Sequence, residues 1–277
     1  MTVIANQQQA QAWNDWEGRH WADHPERYNA MTEAFNAPLF AAAGIAVDHA
    51  VLDVGCGTGL TTRLAARSAH RGHALGIDLS EPMLERARRD AAAQNITNVT
   101  FERGDAQVHP FGKARFDVVI SRGGVMFFAD LVAAFSHLRD TLVPGGRLAF
   151  LGPRPGGADS AYHRATAALA PYLREPSPAA RGMGSLLDPA RITEVLTAAG
   201  FRDIDITPEQ ADMGFGADAG DAADFIFAMG PTRHNLREVD AASAAELRDR
   251  VRAALGEFET PQGVRIPGGV WIVTARC

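Results

Sequence analysis

Three carboxylates recur at matching points of three short apolar runs, and a glycine-rich turn sits beside the first. Val51-Leu52-Asp53-Val54 leads into Gly55-Cys56-Gly57-Thr58-Gly59, and His73-Ala74-Leu75-Gly76-Ile77 leads to Asp78. A third run, Val99-Thr100-Phe101-Glu102, leads to Gly104-Asp105-Ala106. Glycine at every second position lets the chain bend sharply and lets a ligand approach the backbone where a Cβ would block it. The spacing is G-x-G-x-G with an acid two residues upstream, whereas the fingerprint that faces helix amides to a pyrophosphate is G-x-G-x-x-G. An acidic entrance suits a ligand that carries positive charge.

S-adenosylmethionine (SAM) is such a ligand, with an ammonium, a sulfonium and no phosphate. An acid ending the second strand of a nucleotide-binding sheet accepts from ribose hydroxyls, which gives Asp78 a role. Asp105 after the third strand is placed to accept from an adenine amino group. Each acid has a plainer reading as a helix cap or a solvated turn residue, and the glycine turn can be purely structural. Three acids at the carboxyl ends of three successive strands are harder to explain that way.

The elements that hold these residues follow from periodicity. Strands alternate with helices across residues 50–152, the pattern of an α/β parallel sheet with helices on both faces. Helices are expected over 59–70, 80–94 and 129–142, with Ser80 as an N-cap. Pro144-Gly145-Gly146 turns the chain into a strand over 147–151. A later unit pairs a helix at 189–199, stopped by Gly200, with a strand at 201–206. A final strand covers 270–274.

Three segments fall outside that alternation. Residues 1–44 hold Trp13, Trp16 and Trp21, followed by Tyr28, Met31 and Phe35, with Pro38 expected to break the helix. This segment either packs on the sheet or forms a helical lid whose aromatic faces exclude water and attract a cation. Residues 152–187 are Pro- and Gly-rich at both ends, with a helix expected over 159–173 that reaches the substrate pocket. Residues 211–262 carry an amphipathic helix with Leu247, Val251, Leu255 and Phe258 on one stripe, read as core packing. The division is therefore a lid at 1–44, a SAM-binding core at 45–210 with its insert at 152–187, and cap helices with the final strand at 211–277.

The chain resembles the class I SAM-dependent methyltransferases, in particular the type 11, ubiquinone/menaquinone-like group. The motifs that carry this are Val51 to Gly59, Gly76-Ile77-Asp78-Leu79-Ser80 with Met83-Leu84, and Gly104-Asp105-Ala106. Phe116-Asp117-Val118-Val119-Ile120-Ser121 and Leu142-Val143-Pro144-Gly145-Gly146-Arg147-Leu148 follow in order. The resemblance covers roughly residues 45–152. It implies a Rossmann-like, mostly parallel seven-stranded sheet whose last strand is antiparallel. It also implies that Asp53, Gly55, Cys56 and Gly57 line the methionine moiety. Asp78, Leu79 and Met83 would hold the ribose and flank adenine, and Asp105 and Ala106 would meet the adenine edge. Ser121 and Arg122 would lie beside the methyl group, with Trp21 reaching the cofactor from the lid. A bacterial subgroup that the chain also resembles has an aromatic residue where Gly123 stands and Trp-Arg-Pro where Pro153-Arg154-Pro155 stands. Both departures imply a roomier acceptor site.

Composition narrows the function. The 277 residues, 46% hydrophobic and 22% charged, are ordinary for a globular enzyme. A net charge of −6 argues against nucleic acid as partner. Two cysteines, Cys56 and Cys277, make neither a disulfide framework nor a metal site. No signal-like start and no membrane-length apolar run are seen, so a cytoplasmic location is expected. The reading is methyl transfer from SAM to an oxygen, nitrogen or carbon centre of a small molecule, in secondary metabolism, by a monomer or homodimer. The reaction class dictates no catalytic residue; the candidates are Arg122, His20, His24 and His163. Two rivals stay open: a protein or cyclase that retains SAM without methyl transfer, and an NAD(P)-dependent oxidoreductase.

Overall fold

The computed structural model describes residues 3–157 and 159–277. Residues 1 and 2 of the N-terminal segment and residue 158 of the insert lie outside the described residues. The three runs that end at the acids are neighbouring parallel strands, β1 (Ala50–Val54), β2 (His73–Asp78) and β3 (Val99–Arg103). With β4 (Phe116–Arg122), β5 (Leu142–Pro153), β6 (Arg202–Gly216) and β8 (Gly263–Arg276) they form one sheet in the order β3-β2-β1-β4-β5-β8-β6. β1 to β5 run parallel, and β8 is antiparallel to both of its neighbours. The two-residue β7 (Glu259–Thr260) pairs with β8 as a small eighth strand.

Alternation along the strands sends side chains to opposite faces. Leu52, Val54, Leu75 and Ile77 pack with α7 (Leu131–Thr141) and α9 (Pro189–Ala198) through Phe135, Leu138, Ile192 and Leu196. Val51, Ala74 and Val118 pack on the other face with α5 (Leu60–Ser68) and with Leu39 and Ala43. α6 (Glu81–Ala93) buries Met83, Leu84, Ala87 and Ala91. Each of the large apolar groups contributes roughly 1.5–3 kcal/mol on leaving water. Both faces are covered, as a parallel sheet requires.

Several expectations change here. Pro38 lies inside α4 (Asn36–Ala43), in a first turn where a missing N–H costs nothing, so it breaks no helix. Ser80 does occupy the N-cap position of α6, but its hydroxyl makes no cap bond; it donates to the Trp13 carbonyl at 2.6 Å. The helix expected over 159–173 is one short helix, α8 (Ala161–Thr166), followed by a 3₁₀ turn at Ala167–Leu169.

The largest departure is in β6 and β8, which run far beyond residues 201–206 and 270–274. β8 pairs with β5 only as far as Val270, yet pairs with β6 on to Gly216. The excess is a two-stranded ribbon projecting past the carboxyl end of β5, and residue 210 falls inside it. This overhang carries a core of its own. Phe215, Val264 and Ile266 pack there with α10 (Ala219–Ala228) and α12 (Ala241–Leu255). Leu247, Val251, Leu255 and Phe258 are all buried, as their helical spacing predicts.

Candidate functional site

A cavity of about 260 Å³ opens at the carboxyl ends of β1 to β4. Its floor is backbone. Gly55 and Gly57 have φ of +66° and +55°, and both line the cavity. A Cβ on Gly55 would stand 2.7 Å from Gly124 Cα, and one on Gly57 would stand 2.8 Å from Met83 Cε. The glycines therefore let protein close on protein, and the turn so formed presents its backbone to the cavity. Asp78 fixes that turn: its Oδ2 accepts from the Gly57 amide and its Oδ1 from the Ser80 amide, both at 2.8 Å. Burial pushes the Asp78 carboxyl above its ordinary range, against the pull of those amides.

The roof comes from distant parts of the chain: α1 (Gln7–Asn14), α2 (Trp16–Asp23), α3 (Pro25–Thr32), residues 177–183 and α11 (Gly230–Asn235). Trp13 and Trp21 meet edge to face at 5.7 Å, and Trp21 stacks on Tyr28 at 3.7 Å. Trp13 also meets the ring of Phe127 at 6.0 Å. Polar bonds stitch this roof to the floor. The buried Asp105 carboxylate accepts from the amides of Ala5 (2.9 Å), Asn6 (2.8 Å) and Gln107 (3.0 Å). Asn14 donates to the Leu79 carbonyl at 2.8 Å and accepts from the Glu81 amide at 3.0 Å. Glu17 accepts from the Ser177 hydroxyl at 2.7 Å and the Ala179 amide at 2.9 Å. Gln9 donates to the Arg181 carbonyl at 2.7 Å.

Of the residues singled out from sequence, the cavity wall holds Gly55, Cys56, Gly57, Asp78, Leu79, Met83, Asp105, Ala106, Arg122 and Trp21. Asp53 and Ser121 are fully buried behind it. Asp53 accepts from the hydroxyls of Thr61 (2.7 Å) and Thr62 (2.6 Å) through Oδ2, and its Oδ1 has no partner among the described residues. Burial pushes its carboxyl up to about 6, with the threonine hydroxyls and Arg122 pulling the other way. Ser121 donates to the Val54 carbonyl at 2.7 Å and accepts from the Gly124 amide at 3.1 Å, which sets the turn after β4.

The three candidate histidines are not on the wall. His20 stacks on Trp16 at 4.7 Å, His24 is exposed, and His163 is exposed beside Ser160. Gly123 lines the cavity with nothing within 4 Å of where a Cβ would lie, whereas Arg154 packs on Trp271 away from it. Sequence reasoning missed Asn6, Gln9, Glu17, Asn29, Met229 and Pro231. Trp13, Tyr28 and Phe127 also line the cavity, the first two from the segment noted for its aromatics.

These residues fit SAM. Acids at β2 and after β3 suit ribose and the adenine edge, an unpaired buried Asp53 oxygen leaves negative charge under the turn, and aromatic faces suit a sulfonium.

Comparison with known proteins agrees. The methyltransferase domain family matches residues 51–146. Trans-aconitate 2-methyltransferase of Deinococcus radiodurans is 30% identical over 190 residues, 65% of this chain and 70% of that one. Aklanonic acid methyltransferase DauC of Streptomyces sp. strain C5 is 36% identical over 104 residues, 37% of this chain and 47% of its own. The YcgJ protein of Bacillus subtilis shares the fold, with a TM-score of 0.59 and 18% identity over 88% of this chain and 98% of that one. The chain belongs to the class I SAM-dependent methyltransferases, in the type 11-like group, and SAM is the cofactor. Several of the curated relatives match over only about half their own length. No helix among the described residues is long and apolar enough to cross a membrane.

Proposed function

We propose that the chain transfers a methyl group to a small-molecule acceptor held in this one cavity. The observation that carries the reading is the union, in a single cavity, of the Gly55–Gly57 turn, Asp78, Asp105 and an aromatic roof. SAM supplies an electrophilic methyl group on a cationic sulfur. Asp78 and Asp105 are assigned to the adenosine half, with Leu79 and Met83 flanking the base. Asp53, behind the wall, adds negative potential beneath the methionine half. Trp13, Trp21 and Phe127 exclude water and fix the approach of the acceptor. Holding two reactants in line is worth roughly 7–11 kcal/mol. No histidine among the described residues lines the cavity, and we assign no general base.

The relatives named for aklanonic acid and trans-aconitate support a small organic acceptor. The net charge of −6 supports a protein without nucleic-acid partners, and we place it in the cytoplasm as a monomer or homodimer. The test is calorimetric titration with SAM and with NADH, followed by incubation with labelled methyl donor and candidate acceptors. SAM binding, with S-adenosylhomocysteine released in proportion to methylated product, is the expected result. NADH binding in place of SAM, or product formed with SAM unconsumed, overturns it.

A further inference from the structure

Arg122 is a charged group that the cofactor reading leaves without a counter-ion. It ends β4, two strands from Asp78 and three from Asp105, and faces the same cavity. Its guanidinium donates only to neutral groups, the side-chain oxygens of Asn36 and Asn29. No carboxylate among the described residues pairs with it directly, and Asp53 and Glu33 act on it only from a distance. A guanidinium has five N–H donors, so three remain unused. A half-buried charge with only neutral partners is costly, and a ligand that brings the opposite charge relieves it.

A second, independent group lines the same cavity. Tyr28 precedes Asn29 in α3 and lines the cavity, yet its hydroxyl is buried with no hydrogen-bond partner among the described residues. Gly123 leaves open space next to Arg122. Trp21, Phe127, Met229 and the 48%-exposed Met183 give the wall apolar surface, while the Glu17 carboxylate, which acts on Tyr28, also lines the cavity but is engaged by Ser177 and Ala179.

We propose that Arg122 and Tyr28 form an anion subsite for the acceptor, which is a small organic acid with an apolar body. The carboxylate accepts from the free N–H groups of Arg122 and from the Tyr28 hydroxyl, and the apolar part lies against the aromatic roof. Such an acid is already ionised at neutral pH, so binding it calls for no base. The subsite rests on the methyltransferase reading for its role but not for its chemistry. The carboxylate of the cofactor's own amino-acid end could supply the same chemistry, and the experiment separates the two sources.

Wild-type protein is titrated calorimetrically with SAM. It is then titrated with benzoate, trans-cinnamate and hexanoate, each against its primary amide, with and without S-adenosylhomocysteine. At least one acid is expected to bind roughly 10- to 100-fold more tightly than its amide. Arg122→Gln erases that difference, Arg122→Lys retains part of it, and Tyr28→Phe weakens the acid several-fold. SAM affinity is measured in each variant alongside, so that a loss confined to the acids is read apart from a loss of cofactor binding. Melting curves check that each variant folds, and Arg122→Lys carries the comparison if Arg122→Gln does not. The proposal is overturned if amides bind as well as acids, if no acid binds at millimolar concentration, or if Arg122→Gln keeps the preference. Loss of SAM binding in Arg122→Gln without an acid preference in wild type reassigns the guanidinium to the cofactor. Failure of wild type to bind SAM sinks the methyltransferase reading instead, and the acid–amide comparison without cofactor still decides the subsite.

Discussion

The floor and the roof of the cavity are held by different physics. The floor is a local object, in which a strand, a left-handed glycine turn and an acid on the next strand define each other within about thirty residues. The roof is a long-range object, in which helices from the N-terminal segment are tied to the floor and the insert across 65 to 172 positions of sequence. Geometry in the floor is fixed by what the backbone can adopt. Geometry in the roof is fixed by side chains reaching carbonyls and amides that have no sequence signature. Damage to the floor should therefore abolish the site, and damage to the roof should loosen it.

The sharpest way to break this contrast is Gly55→Val. The left-handed φ and the clash with the Gly124 backbone should together cost about 2–4 kcal/mol. Urea denaturation and SAM titration read the loss, and a variant with native stability and affinity would show that the floor is not rigid.

Next is the pH response of the buried acid beneath the floor. Asp53 has a carboxyl near 6 in the fold against an ordinary 3.8. The fold thus favours its protonated form, so its contribution to stability is full below 3.8 and is lost as pH rises through 6. Between these limits stability should fall by on the order of 2–3 kcal/mol on this account. Asp53→Asn should flatten the profile of unfolding free energy over that window; an unchanged profile would place the titration elsewhere. Asp78→Ala, which removes the acceptor of the Gly57 and Ser80 amides, should weaken SAM binding by about 1–3 kcal/mol.

On the roof, Glu17→Ala removes the contacts to Ser177 and Ala179. It should speed SAM dissociation by roughly tenfold in stopped flow, with melting changed by little. The smallest effect belongs to Arg19→Ala at the exposed Asp15 pair, with side chains 59% and 75% exposed. It should stay within about 0.5 kcal/mol of native stability in denaturant titration.

The same contrast explains what was legible in the sequence. Alternating burial, glycine spacing and strand-end acids are written within short windows, so β1 to β5 and the glycine turn with its neighbouring acids are legible directly. Asp105 shows the limit. Its position after β3 was readable, but its acceptance of the Ala5 and Asn6 amides was not, since a backbone N–H a hundred residues away leaves no trace. Asp53 was read as lining the ligand and is instead sealed by two threonines from α5. The full lengths of β6 and β8 were hidden because Pro208, Asp212, Gly214, Gly268 and Gly269 are poor strand formers. Cross-strand partners override that local preference.

That projecting ribbon has an architectural consequence. α10, α11 and α12 are carried on a loop-out between two strands of the sheet, so both ends of the excursion are clamped while its interior is free to vary. Exchanging or lengthening it would reshape one side of the vault without touching the residues beneath β1 to β3. The fold thus separates a fixed chassis from a replaceable canopy, which meets the cavity through Met229, Gly230 and Pro231.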